Sequence, residues 1–248
     1  MPVYIAEALI LRTYKLKEAD RIVVFLTRDR GKKRGVAKGA RRPRSRYMGA
    51  LEPLTRGEVA YFEREQRDLV QLNSMDPVCS PLRSQNGEAL GHVGYFAELI
   101  DEWSPEGHAD ERMFRLGASL IDAIAAGAPI DRLARYFEYW LLRLQGVYPP
   151  LACAQCGATV RAGAVMPPRS DSLICRRCAP AGGGTDISAG ALRFLAAAGT
   201  TGPEQLAAVE LSVAESRELE TAHRRLLNLH LEKELKSARV LREMRHAR

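Results

Sequence analysis

Residues 21–37 read Arg-Ile-Val-Val-Phe-Leu-Thr-Arg-Asp-Arg-Gly-Lys-Lys-Arg-Gly-Val-Ala. The first seven are β-branched, aromatic or apolar apart from the leading arginine. Asp29-Arg30-Gly31-Lys32 is a turn signal, and 33–37 resumes a short strand. Two such runs across a glycine-containing turn predict an antiparallel hairpin. Outward from it, 4–14 is rich in β-favouring residues and precedes the hairpin as a first strand. On the other side 57–64 alternates, with Val59, Tyr61 and Glu63 on one face, and 68–73 makes a fifth strand. Five short strands within about 70 residues leave edges that are best removed by closure, so a five-stranded OB-fold barrel is expected over 1–80.

The same stretch carries the charge. Residues 28–46 hold ten Lys and Arg against Asp29 alone, a local +9; the chain as a whole is +7, so the remainder is −2. A basic footprint this concentrated points to a polyanion. The segment 38–49, Lys-Gly-Ala-Arg-Arg-Pro-Arg-Ser-Arg-Tyr-Met-Gly, lies between the third and fourth strands. Its self-repulsion, Pro43 and the flanking Gly39 and Gly49 predict a mobile basic loop whose guanidinium groups contact phosphate. The candidate DNA-binding residues are Lys32, Lys33, Arg34, Lys38, Arg41, Arg42, Arg44, Arg46 and Tyr47. Tyr14, Phe25, Tyr61 and Phe62 are further aromatic candidates for stacking on unpaired bases, although a strand aromatic more often belongs to a core.

Cys153-Ala-Gln-Cys156 and Cys175-Arg-Arg-Cys178 form a C-x₂-C-x₁₈-C-x₂-C pattern. Each two-residue gap lets one tight turn aim two sulfurs at one point, and four thiolates suit tetrahedral Zn²⁺. Four protein sulfurs leave no position open for water, so a structural Zn²⁺ is expected on Cys153, Cys156, Cys175 and Cys178. The opposing reading, two disulfides, needs an oxidising compartment. The N-terminal stretch, with Glu7 and no positive leading region, makes a poor signal peptide, so a cytoplasmic protein is expected. The fifth cysteine, Cys79, reads as a small buried apolar side chain.

After 75–81, where two prolines mark a boundary, the apolar period becomes helical: Leu90, Val93, Phe96, Ala97 and Ile100, then Met113, Leu116, Leu120, Ile121 and Ile124, then Leu133, Phe137, Trp140, Leu141 and Leu144. Ser104-Pro105-Glu106 reads as a helix start, 160–168 as a small hairpin, Thr185 or Asp186 as the cap of a later helix, and 210–245 as one long helix with a basic end. The predicted fold class is thus α+β: an OB-fold barrel at 1–80, then a helical domain in two parts, 81–150 and 181–248, around an inserted Cys₄ zinc module at 151–180. No apolar run reaches the length of a membrane span, so no membrane partner is expected.

Several pieces within the first 53 residues, Leu9-Ile-Leu-Arg-Thr-Tyr, Glu18-Ala-Asp-Arg-Ile-Val, Thr27-Arg-Asp-Arg-Gly-Lys, Val36-Ala-Lys-Gly-Ala-Arg-Arg, Ser45-Arg-Tyr and Leu51-Glu-Pro-Leu, stand in the order and spacing of the bacterial recombination mediators of the RecO family. The chain resembles that family, and the paired CxxC motifs resemble its zinc-bearing members. The resemblance implies an N-terminal OB-fold and a helical domain with a zinc module. It implies binding of single- and double-stranded DNA, strand annealing, and action with RecR, with the acidic C-terminal tail of single-stranded-DNA-binding protein and with the recombinase RecA. It implies a nucleoid-associated protein, and structural rather than catalytic roles for Glu18 and Asp20.

The residues themselves offer no Walker A, Rossmann or H-E-x-x-H pattern, and the glycines of 182–184 lack the Gly-Lys-Ser/Thr ending of a phosphate loop. A non-enzymatic DNA-binding and annealing protein is the first reading. The rival is a zinc-stabilised nucleic-acid-processing enzyme, a nuclease or RNA-modifying protein, with Glu18, Asp20 and Asp29 as the nearest acids. A third reading is an assembly scaffold whose partners bind the DNA. Arg176 and Arg177, inside the second CxxC, and the basic end of the last helix are additional polyanion candidates.

Overall fold

The computed structural model describes residues 3–63, 68–84, 86–179, 183–231, 233 and 235–246. Packing divides the chain into two compact units, Met1–Gly127 with Leu235–Arg248, and Ala128–Glu234.

The first unit is built on a closed barrel of β1 (Val3–Leu16), β2 (Asp20–Thr27), β3 (Gly31–Ala37), β4 (Arg56–Phe62) and β5 (Val70–Cys79), ordered β1-β2-β3-β5-β4. The predicted hairpin is present, with Thr27 opposite Gly31 and Arg21 opposite Ala37. Thr27 Oγ1 donates to the Gly31 carbonyl and accepts from the Arg30 N–H. Gly31 is required twice over: its φ is +68°, and a Cβ there would lie 2.2 Å from the His108 carbonyl oxygen. Closure comes from β3 pairing parallel with β5 at Gly35–Val70 and Ala37–Leu72, a contact that removes both remaining edges.

Ala6, Ala8, Ile10, Val23, Phe25, Val59, Tyr61, Leu72 and Met75 fill the interior. In β1 the run Ala8-Leu9-Ile10-Leu11 is buried on both faces, so the strand reads as continuously apolar rather than alternating. Its outer face is covered by helices. α1 (Gly87–Trp103) is capped by Asn86, and α2 (Glu111–Ala125) by Asp110, whose side chain accepts from the Met113 N–H. Gly117 of α2 sits where a Cβ would come within 2.6 Å of Leu9 Cδ1, so the absence of a side chain sets how closely helix and barrel approach.

The second unit holds α3 (Ile130–Leu144), α4 (Ala189–Ala198), α5 (Val213–Leu231) and a three-stranded sheet of β6 (Ala164–Met166), β7 (Ile174–Cys175) and β8 (Thr185–Ile187), ordered β7-β6-β8. Between α3 and α5 lies a buried polar group. Glu138 Oε2 pairs with Arg135 at 3.0 Å and with His223 Nδ1 at 2.9 Å, and His223 Nε2 meets the Tyr148 hydroxyl at 3.2 Å. Desolvation lowers the His223 pKa against the pull of Glu138.

Five local expectations need correction. The span 210–245 is not one helix: α5 ends at Leu231 and α6 (Lys236–His246) starts afresh. The Glu98 carboxylate accepts from the N–H groups of Lys236 and Ser237, donors that a continuous helix would have used internally. Ser104 closes α1, its N–H bonding to the Ile100 carbonyl, and Asp110 takes the starting role for α2. Thr185 and Asp186 belong to β8, and Ser188 caps α4. The predicted hairpin at 160–168 contributes only β6, whose partners β7 and β8 come from later in the chain. Cys79 is half-buried rather than buried. No helix among the described residues is long and apolar enough to cross a membrane.

Candidate nucleic-acid interface and metal centre

The basic stretch separates into two sets. On β3, Lys32 is 8% exposed, and its ammonium donates to the Asp101 carbonyl oxygen and pairs with the Asp101 carboxylate at 3.1 Å. Lys33 pairs with Glu63 at 2.6 Å, and Arg34 with Glu106 at 2.8 Å. All three strand cations therefore have internal carboxylates. Lys32 is withdrawn from the surface altogether, because a buried ammonium is retained only with such a partner.

The segment after β3 is different. Lys38, Arg41, Arg42, Arg44 and Arg46 are all exposed, and none forms an ion pair with a carboxylate among the described residues. The expected mobile loop is a chain of hydrogen-bonded turns, in which Arg42, Ser45, Met48 and Ala50 N–H groups each reach back three residues to a carbonyl. It is stapled to the β1–β2 turn. Gly39 N–H donates to Asp20 Oδ1 at 2.8 Å, Arg41 N–H to the Ala19 carbonyl, and the Arg41 guanidinium to the carbonyls of Lys17 and Glu18. Asp20 thus acts as a strut.

Tyr47 is the largest departure from expectation. It is 2% exposed, and its hydroxyl donates to the Leu72 and Asn73 carbonyls at 2.7 and 2.9 Å. Burial raises its pKa, with Arg46 pulling the other way. With Ala50 and Leu51 it belongs to the barrel core. The ring is unavailable to a base; it is the plug that fastens a charged flap onto the barrel. Phe25 and Tyr61 are likewise buried, Phe62 is half-buried, and Tyr14 is the exposed aromatic of the predicted set, with Arg12 over its ring.

Between flap and barrel lies a cavity of about 310 Å³, lined by Arg21, Arg41, Arg42, Ser45 and Glu52 among others. Arg21 was not anticipated. It stands on β2 with its guanidinium bonded to Thr13 Oγ1, and nothing in a strand sequence tells an arginine that lines a cavity from one that is merely solvated.

In the second unit the four cysteines converge. The sulfur atoms of Cys153, Cys156, Cys175 and Cys178 all lie within 4.8 Å of one another. Zn–S bonds of about 2.3 Å in a tetrahedron put sulfurs about 3.8 Å apart, and Cys156 and Cys175 are at 3.9 Å. Each CxxC is a closed turn: Gly157 N–H bonds to the Cys153 carbonyl, and Cys178 and Ala179 N–H to that of Cys175. Backbone N–H groups of Cys175 and Cys156 pull the Cys153 thiol down to about 6, while hydrogen bonds with Cys175 and Cys156 push Cys178 up to about 12. Four sulfurs sharing so little space cannot all ionise without a cation, so the donor set fits a divalent soft-to-borderline metal. Arg176 forms an exposed pair with Asp186 at 3.6 Å, and Arg177 is exposed.

Residues 1–81 match the family model for the recombination protein O N terminal, and residues 84–239 that for the recombination protein O C terminal. The chain belongs to the RecO family. Among curated RecO proteins, the "DNA repair protein RecO" of Anaeromyxobacter sp. (strain K) is 35% identical over 240 residues, covering 95% of this chain and 94% of its own. The RecO of Koribacter versatilis is 40% identical over 175 residues, covering 68% and 70%. That of Geobacter sulfurreducens is 39% identical over 199 residues, covering 76% and 77%.

Proposed function

We propose that this chain is a non-enzymatic DNA-binding and strand-annealing mediator of recombination, acting on single- and double-stranded DNA in the cytoplasm at the nucleoid. The observation that carries the reading is the flap: five exposed cations without internal carboxylates, held on a rigid barrel by Tyr47 and Asp20. Lys38, Arg41, Arg42, Arg44 and Arg46 contact phosphate, and Lys33 and Arg34 join them by exchanging their present partners. Neutralising the phosphates of two strands is physically enough to let complementary sequences meet, so annealing needs no active site. RecR, the acidic tail of single-stranded-DNA-binding protein and the loading of RecA enter through membership of the family. The proposed division of labour follows the chain, with a nucleic-acid-binding domain over 1–80 and a helical domain over 81–150 and 181–248 around the module at 151–180, although by packing α1, α2 and α6 belong to the barrel's unit.

A structural Zn²⁺ on the four cysteines completes the reading. The ion would tie two turns whose strands are only two and three residues long. Of the acids near the flap, Asp20 holds Gly39 and Asp29 lies 3.6 Å from Arg30, while Glu52 lines the flap cavity. Neither the Asp20 nor the Asp29 arrangement favours the nuclease alternative.

The test is a variant with Arg41, Arg42, Arg44 and Arg46 all changed to Ala. At about 0.7 per phosphate contact on single strands, the slope of log affinity against log salt should fall by about 2.8. An unchanged slope would transfer DNA binding to a partner and leave the scaffold reading. Cleavage of labelled DNA in the presence of Mg²⁺ would overturn the non-enzymatic part. Absence of stoichiometric zinc from the purified protein, with wild-type melting of Cys153→Ser/Cys156→Ser, would overturn the metal.

A further inference from the structure

A second cavity lies wholly within the unit Ala128–Glu234, between the loop after β6 and one face of α5. It measures about 380 Å³ and is lined by Arg169, Thr221, Arg224, Arg225, Asn228 and Leu229. The last five recur along α5 at spacings of three and four residues and so share a face. Arg169 comes from the loop.

Three guanidinium groups line this space, and among the described residues none of them forms an ion pair with a carboxylate. Like charges gathered without a counter-anion repel, and an external anion relieves that repulsion. Arg225 is held in place by donating to the carbonyls of Met166 at 2.8 Å and Ser170 at 3.5 Å, contacts that orient its charge without cancelling it. Arg169 has a φ of +57°, a left-handed conformation that side-chain-bearing residues enter only under constraint, and it directly follows Pro167 and Pro168. The loop is fastened by one arginine and presents another. Asn228 adds hydrogen-bond donors, the Thr221 hydroxyl already donates to the Arg217 carbonyl at 2.9 Å, and Leu229, 43% exposed, gives an apolar flank.

The flap cavity on the barrel also gathers three guanidinium groups, Arg21, Arg41 and Arg42, around a space of similar size, with the hydroxyl of Ser45 and one carboxylate, Glu52, which has no counterpart among the described residues lining the α5 cavity. Planar guanidinium forks suit phosphate oxygens in both places. We propose that the α5 cavity is a second seat for the nucleic-acid phosphate backbone, so that each compact unit carries its own contact. The proposal rests on the DNA-binding reading of the flap. One molecule with two separate backbone contacts can hold two segments at once, the minimum that annealing asks of a single chain.

The test uses the full-length, metal-loaded protein. Arg169→Ala/Arg224→Ala removes the two presenting cations and keeps the Arg225 anchor. Bound zinc and thermal melting report that the unit remains folded, and Asn228→Glu, which places a carboxylate in the cavity, serves as an independent variant. The expected result for the double variant is a salt slope for single-stranded DNA reduced by about 1.4, on top of an intact flap contribution. Annealing should slow, and Arg169→Lys/Arg224→Lys should keep the wild-type slope. A wild-type slope in both the double-alanine and Asn228→Glu proteins, beside the expected loss in the flap variant, overturns the proposal and leaves the DNA reading standing. Wild-type slopes in pocket and flap variants alike overturn both. An oligo-aspartate probe separates the competing occupant: if it binds the wild type but not the pocket variants, while their DNA slopes stay unchanged, the cavity belongs to an acidic protein partner and the proposal fails.

Discussion

Strand β3 and the flap that follows it differ little in composition, yet their charges meet opposite fates. Lys32, Lys33 and Arg34 lie opposite Asp101, Glu63 and Glu106. Lys38, Arg41, Arg42, Arg44 and Arg46 find only carbonyls, a phenol or solvent. A strand must pack both of its faces, so its cations are drawn to the acids of the segments that cover it. A flap fastened by the buried Tyr47 and the Asp20 strut leaves its cations outside. Charge density in a sequence thus measures how much electrostatic potential is present, and the fold decides how much of it is available to a ligand.

The largest effect that would break this contrast is Lys32→Ala. Removing the ammonium leaves Asp101 largely buried with, among the described residues, only Arg12, 3.4 Å away, to offset it. The expected loss is about 3 kcal/mol of stability, read by denaturant unfolding, with single-strand affinity unchanged at temperatures where the variant is folded. A stable variant with weakened DNA binding would place Lys32 among the DNA contacts after all. Next is Tyr47→Phe, which keeps the ring in the core and removes the hydroxyl donor to the Leu72 and Asn73 carbonyls. About 1 kcal/mol of stability should go, with little change in the salt slope, whereas a base-stacking tyrosine would tolerate phenylalanine without any loss of stability.

Arg44→Ala sharpens the contrast from the other side. Stability should stay within about 0.5 kcal/mol, as for surface substitutions generally, while the salt slope on single strands falls by about 0.7. The smallest effect concerns acid. Burial would raise the Glu98 pKa, but hydrogen bonds from Ser237 and Lys236, with Arg12 nearby, hold it below the ordinary carboxylate range. A depressed folded-state pKa stabilises above the unfolded value, and that stability is lost as pH falls through the folded one. Docking of α6 should therefore loosen only at acidic pH, detected as faster amide exchange in 236–246, and Glu98→Gln should remove the dependence.

The barrel was legible because its signals are local. The hairpin at 21–37, the alternation in 57–62 and the continuous apolar run of β1 each state a strand without reference to the rest of the chain. The cysteine spacing was equally local, since two tight turns predict four converging sulfurs wherever they lie in the fold. Tyr47 was misread for the same reason. Inside a charged segment it has no apolar neighbours but Met48, and its partners are backbone carbonyls of β5, some 25 residues away. The break between α5 and α6 was hidden because leucine periodicity continues across it, while the cap that starts α6 comes from Glu98, far back in the chain. The arginine cavity on α5 was hidden because it pairs a helix face with a loop 55 residues earlier.

What the amino-acid order determined alone was the five strands, the helical periodicity, the four-sulfur cluster and the place where positive charge accumulates, all of which depend on neighbours within a turn or a hairpin. Only the tertiary structure decided which cations face a carboxylate and which face water, that Tyr47 is a plug, and that α6 packs against α1 in the barrel's own unit. Those outcomes depend on pairings between residues distant in sequence, and the free energy of a charge or a phenol is set by what lies within a few ångströms of it after folding.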